Sequence, residues 1–277
     1  VRGPAARQVL VAASAVVAVV VSTVGSGAFG GTPIAEAAGG ALASDATPLA
    51  PAGPAFAIWS VIYLGLLALA AWQALPAQRD DARVDRLRPW VAASLLLNAL
   101  WVLTVQAGWL GASVAVIAAL VLVLGWVFHV TTLWRPRRRL EAIVLDGTMG
   151  LYLGWVVVAT AANVTAWLAA RGFGERTTSG VSGSSEIASV VVLALAGAVG
   201  CLLAHLGEGR VSVALSMVWG LAWIVVARVT GDLVSAPAAL AAAAAAGAII
   251  AVTIAARPGR TERRWAREQA RRAGRRA

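Results

Sequence analysis

Eight apolar runs constrain this chain more than any other feature of it. They lie near 9–30, 54–75, 89–107, 111–134, 143–170, 187–206, 211–229 and 233–256. At 1.5 Å per residue, each can cross about 30 Å of hydrocarbon. Lipid offers no partner for backbone N–H and C=O groups, so runs of this kind are helical. Composition agrees: 60% of residues are apolar and 13% charged, against about 25% charged in a soluble domain. Mean hydropathy is +0.79. The fold class is therefore all-α, a polytopic membrane helical bundle of about eight transmembrane helices held in the lipid bilayer. Only Gly108 to Leu110 separate the third and fourth runs, which predicts a tight helical hairpin.

A net charge of +10, carried by arginine without any lysine, raises the question of nucleic acid. Where the arginines fall answers it. Arg2 and Arg7 precede the first run; Arg79, Arg83, Arg86 and Arg88 lie in the second loop. Arg135, Arg137, Arg138 and Arg139 lie in the fourth loop, Arg210 in the sixth, and nine more in the tail from Arg257 onward. With eight spans all of these share one side, leaving only Arg171, Arg176 and Arg228 on the other. The positive-inside rule then puts both termini in the cytoplasm of a multi-pass protein of the cell (plasma) membrane. The tail, 257–277, is expected to touch anionic lipid head groups. Its single Trp265 makes no stacking platform, so no nucleic-acid partner is expected.

Two features near the N-terminus bear on organisation. Arg2 and Arg7, an apolar run and Ala35-Glu36-Ala37 together fit a signal peptide with an A-x-A site. The run is longer than an ordinary signal core, which favours a retained first helix. Residues 31–53 then form a long loop rich in Gly, Ala and Pro, expected to be flexible and able to serve as a lid.

Twelve tryptophans are several times the usual share. Trp72, Trp90, Trp109, Trp134 and Trp167 lie near run ends and fit an interfacial aromatic belt. Trp59, Trp101, Trp155, Trp219 and Trp223 lie at least a turn inside. Helical spacing puts Trp59 with Tyr63, Asn98 with Trp101, and Trp219 with Trp223 on common faces; Trp155, Ala159 and Asn163 share another at i, i+4, i+8. The alternating direction of the runs brings these faces, with Phe56, to the outer half of the bundle beneath the first loop. A buried amide in hydrocarbon costs several kcal/mol without a partner, so Asn163 should face protein, water or a ligand. Two readings follow. Indole and phenol faces with a few amides line a pocket for a flat apolar ligand; or Trp and Asn join helices, helped by Gly150-x-x-x-Gly154.

Other chemistry finds little support. Cys201 stands alone, so the chain has no disulfide framework of its own, and His129 and His205 lack further ligands at metal spacing. No Ser/His/Asp set, carboxylate pair or phosphate loop occurs in a plausible context. No catalytic or metal-ligating residue is therefore assigned, and no cofactor is required. Asp146 and Glu141 sit beside Arg135 to Arg139, where interfacial pairing is the expectation. A small-solute transporter is the alternative of a different class, but paired interior charges and matching broken helices are missing. A homodimer stays open.

At the deep aromatic residues the chain resembles the TspO/MBR family of tryptophan-rich sensory proteins. The family's fifth-helix pattern, P-Y-x-x-W-x-x-x-A-x-x-x-N, is matched by Tyr152, Trp155, Ala159 and Asn163, with Leu151 in place of the proline. Asn98 and Trp101 match the third-helix N-x-x-W, with Val105 and Gln106 replacing a Phe pair. Trp59 and Tyr63 match the second-helix W-x-x-x-Y, preceded by Pro51, Pro54 and Phe56, one residue closer than usual. The first-loop Trp-Tyr and Lys-Pro signature is missing. The resemblance covers about 9–170 and implies a five-helix core (1–170), followed by an accessory module of three extra C-terminal helices (171–256) and the basic tail (257–277). It also implies a pocket beneath the first loop for a tetrapyrrole such as protoporphyrin IX, or for a sterol-like ligand. Its expected lining residues are Phe56, Trp59, Tyr63, Asn98, Trp101, Tyr152, Trp155, Ala159 and Asn163. Sensing or regulation of tetrapyrrole stress, or slow porphyrin degradation in light, would be the associated activities.

Overall fold

A computed structural model describes residues 3–25, 32–173, 176–177, 180–181 and 183–257. The tail beyond Arg257, with Trp265, and the Arg2 side of the first run lie outside these residues. Eight long helices are present: α1 Pro4–Gly25, α2 Ile58–Ala74, α3 Ala82–Gln106, α4 Leu110–Leu133, α5 Thr148–Ala170, α6 Gly183–Leu206, α7 Val211–Thr230 and α8 Ala236–Ala255. Each, with the lead-in turns of α2 and α5, is long and apolar enough to span a membrane. The chain is a polytopic helical bundle; its only strands among the described residues are a two-residue antiparallel pairing of Arg176–Thr177 with Gly180–Val181.

Local sequence explains the helix ends. Asp81 caps α3 by accepting from Arg83 N at 2.9 Å and Val84 N at 3.1 Å. Ser235 caps α8 through Ala238 N at 3.4 Å, with Pro237 in the first turn where its missing N–H is not needed. The hairpin between α3 and α4 turns on Gly108 at φ 73°, a conformation that costs glycine nothing.

Two boundaries differ from the apolar runs, both for the same reason. α3 begins at Ala82 rather than near 89, and the span containing α5 begins at Arg139, through a wide turn over Ala142–Gly147. Hydropathy places charges outside a helix, whereas here they pair inside the bundle. Buried Arg83 donates to Glu141 Oε1 at 2.5 Å, Asp146 Oδ1 at 2.6 Å and the Trp134 carbonyl at 2.6 Å. Arg88, also buried, donates to Gln73 Oε1, Asp85 and the carbonyls of Gln78 and Arg79. This corrects the expected partnership of Asp146 and Glu141. Their cation is Arg83 of α3; of the 135–139 cluster, only the Arg137 backbone N–H reaches Glu141. Arg210 lies 3.8 Å from Asp146 and donates to Thr131 Oγ1 and its carbonyl. Burial, ahead of any charge effect, pulls the Arg210 guanidinium below its ordinary pKa.

These contacts sort the bundle into two ends. Arg7 with Asp85, Arg83 with Trp134, Arg210 with Thr131, and Arg257 with the Gly209 carbonyl gather at one, the arginine-rich end. Residues 44–55, ahead of α2, lie at the opposite end, where they bond to the last turns of α7.

In the bundle, α1 lies along α3 and beside α2; α4 joins α3 to α5; α2 rests on α5. The three C-terminal helices attach mainly through α7, which runs along α5; α6 also touches α5, and α8 packs on both α6 and α7. Small residues make the α5–α7 seam. A Cβ on Gly150 or Gly154 would enter Ser212 or Ser216, and one on Gly220 would lie 2.9 Å from Val158 Cγ1. The Gly150-x-x-x-Gly154 pair is thus helix-joining, allowing two backbones to approach closely.

Candidate ligand-binding site

The centre of the site is a group of rings from α2 and α5. Trp59 and Tyr63, one turn apart, are stacked at 5.2 Å with 17° between their planes. Trp59 meets Tyr152 at 6.1 Å and Trp155 at 6.2 Å, both edge-on. Phe56, in the turn before α2, meets Trp155 edge-on at 5.9 Å. Each such pair is worth about 0.5–1.5 kcal/mol beyond its buried area, so the rings form a rigid wall. Trp155 is 2% exposed and Tyr152 fully buried, while Phe56, Trp59 and Tyr63 are half-buried.

Amides and hydroxyls hold that wall. The Trp101 indole N–H donates to Asn163 Oδ1 at 2.7 Å, and Asn163 Nδ2 donates to Ser113 Oγ at 2.9 Å. Asn98 Nδ2 donates to the Tyr63 hydroxyl at 3.0 Å and to Ser22 Oγ at 3.3 Å. The Tyr152 hydroxyl donates to the Ser94 carbonyl at 3.1 Å. Two buried polar atoms here have no protein partner, Asn98 Oδ1 and Trp155 Nε1.

Two hollows flank the rings. The larger, about 470 Å³, lies between α1, α2 and α3 and is lined by Ser22, Thr23, Ile34, Phe56, Trp59, Ser60, Tyr63, Trp101 and Val102, among others. The smaller, about 30 Å³, shares Phe56 and Trp101 as walls and adds Trp155, Ala159, Leu42, Thr47, Ala50 and Pro51. No lining residue of either is charged. Of the nine expected residues, Phe56, Trp59, Tyr63, Trp101, Trp155 and Ala159 line a hollow. Asn98, Tyr152 and Asn163 line neither; they stand behind the rings.

The family model described as TSPO-like protein matches residues 8–256. The chain belongs to the TSPO-like protein family. It is a multi-pass membrane protein, and the match runs through all eight helices, from α1 to the end of α8. No curated protein and no solved structure matches the chain.

One departure of this TSPO-like chain from the expected pattern, at Gln106, has a physical account. Gln106 donates to the carbonyls of Gly25 and Thr32, the latter at 2.9 Å, bridging the end of α1 to the following loop. An apolar ring could not do so. Trp219 and Trp223 pair edge-on at 5.7 Å, but they do not join the central ring group. Trp219 Nε1 instead donates to the Ala55 carbonyl at 2.9 Å, and the Trp223 carbonyl accepts from Ala52 N at 3.2 Å. The first loop is correspondingly not the loose segment expected. Its residues 44–55 are fastened to α7.

Sequence reasoning missed Ser22, Thr23, Ser60 and Val102 as lining residues, and Ser113 as the partner of Asn163. Serine and threonine occur on many faces of apolar helices. The available signal was that Ser14 and Ser22 lie i, i+8 on one face of α1, and both are buried.

Proposed function

We propose that the protein is a ligand-binding sensor of the membrane that takes a flat, largely apolar molecule against the Trp59–Tyr63 face, with a tetrapyrrole such as protoporphyrin IX as its ligand. The observation that carries this reading is the stacked Trp59–Tyr63 pair facing a hollow of about 470 Å³, within the range of about 300–1,000 Å³ usual for ligand pockets. A flat ring system gains most from an offset or edge-on aromatic wall. The hydroxyls of Ser22, Thr23, Ser60 and Tyr63 supply neutral hydrogen bonds along one side. Trp101 is the second wall, and Trp155 buttresses Trp59 from behind. In this reading the arginine-rich end faces the cytoplasm, the first loop faces outward, and 171–256 is an accessory module.

The test is a titration of protoporphyrin IX into protein in lipid nanodiscs, read by quenching of tryptophan emission. Saturable quenching is expected, weakened at least tenfold by Trp59→Ala and by Trp155→Ala. Trp90→Phe, on the lipid-facing surface, should leave it unchanged. Unsaturable quenching, or equal quenching in all three variants, would reject the site.

A further inference from the structure

The most unusual cation in the bundle is Arg228. It lies in the last turns of α7 and is 1% exposed, at the end opposite the concentration of arginines. It is one of only three arginines that the span count puts on that side. Of the other two, Arg171 lies over the Trp167 ring at the surface, and the Arg176 side chain lies outside the described residues. A guanidinium buried in an apolar bundle is costly unless its N–H groups find acceptors. Arg228 finds them in the first loop: Nη2 donates to the Ser44 carbonyl and Nη1 to the Thr47 carbonyl at 3.2 Å. The planar fork suits two carbonyls three residues apart, which a lysine point charge does not match.

Two further bonds run the same way. Ala52 N donates to the Trp223 carbonyl, and Trp219 Nε1 to the Ala55 carbonyl. Helix α7 therefore holds 44–55 at three levels, one helical turn or so apart. The gripped segment closes the smaller hollow, where Thr47, Ala50 and Pro51 lie opposite Trp155 and Ala159, and reaches the larger one at Gly53, which lines it beside Phe56. Helix α7 is itself fixed to α5 by the glycine and serine seam.

We propose that Arg228 is the latch of this cover, a positioning residue through which α7 holds 44–55 closed over the ring site and sets how long a ligand stays there. The latch rests on the ligand reading for its consequence, but not for its existence, and the experiment separates the two. In a Cys201→Ala background, Ala50→Cys places a thiol at a position 3% exposed. Its reaction with a water-soluble maleimide in nanodiscs reports opening of the cover without any ligand. Proteins lacking that reporter are loaded with protoporphyrin IX, and its transfer to excess empty vesicles gives the dissociation rate.

Arg228→Met should raise both rates about tenfold, and Trp219→Phe, which keeps an aromatic ring but loses the N–H, should raise both by a smaller factor. Arg228→Lys serves where Arg228→Met does not fold, with an intermediate rise expected. Labelling at the parental rate in these variants overturns the latch. Faster labelling with unchanged dissociation overturns its control of the ligand. If the parent takes up no protoporphyrin IX, the ligand reading is withdrawn, and the labelling rates alone uphold or overturn the latch.

Discussion

Trp101 on α3 donates its indole N–H to Asn163 Oδ1 on α5 at 2.7 Å, and that amide is fully buried. A wall of the hollow is thereby oriented by a residue that never touches it. The spacing that puts Trp155, Ala159 and Asn163 on one face serves two tasks, ring contact at the first position and positioning of a neighbouring ring at the last.

Replacing Asn163 by Leu keeps the branched shape and the number of heavy atoms but removes the acceptor, stranding the Trp101 N–H in the bundle. An unsatisfied buried donor costs about 1–3 kcal/mol, so the variant should unfold earlier in detergent by that amount. Adding Trp101→Phe removes the stranded donor as well. The double variant should then lose less than the sum of the single losses, the mark of a direct coupling. Strict additivity would mean that the bond does not hold Trp101.

The α5–α7 seam is open to a similar test. A methyl on Gly154 would run into Ser216 and the Val213 carbonyl, and the backbone carbonyl cannot move aside without displacing α7. Gly154→Ala should cost about 1–3 kcal/mol, as overpacking does, and loosen the C-terminal helices together. Gly247→Ala in α8, where nothing lies within 4 Å of the added methyl, is the control and should be neutral or slightly stabilising. Equal melting of the two variants would remove the seam from the account.

At the arginine-rich end the Arg83 cluster is a buried ion network, and removal of one member should be more harmful than its net contribution suggests. Arg83→Met leaves Glu141 and Asp146 facing each other without their main cation, at a cost of about 3–5 kcal/mol. Combining it with Glu141→Gln and Asp146→Asn removes the uncompensated charges and should recover most of that loss. Thermal unfolding of the single and triple variants decides it, and a triple variant no more stable than the single one would refute the network account.

How far the sequence alone could reach is clear from these sites. The eight spans, the hairpin at Gly108 and the inward faces carrying Trp59, Trp101 and Trp155 were legible, because apolar length and helical spacing act locally. The start of α3 was not, since Arg83 and Arg88 look solvent-bound until Glu141, Asp146, Asp85 and Gln73 are brought to them by the fold. Nor was the role of α7. Arg228 and Ser44 are 184 positions apart, and nothing in the local pattern of either names the other. Hydroxyl partners such as Ser22 and Ser113 were hidden for another reason, being small residues of a kind that apolar helices carry on any face.

The proposed membrane orientation rests on arginine placement and can be tested apart from the ligand. In the Cys201→Ala background, Ser44→Cys puts an exposed thiol on the first loop, and Asp80→Cys puts one at the arginine-rich end. Neither change alters an arginine, and aspartate contributes little to orientation. In intact cells an impermeant maleimide should modify the Ser44→Cys protein and spare the Asp80→Cys protein until the membrane is permeabilised. The reverse pattern would put the ring site on the cytoplasmic side, where a ligand made inside the cell would reach it without crossing the bilayer.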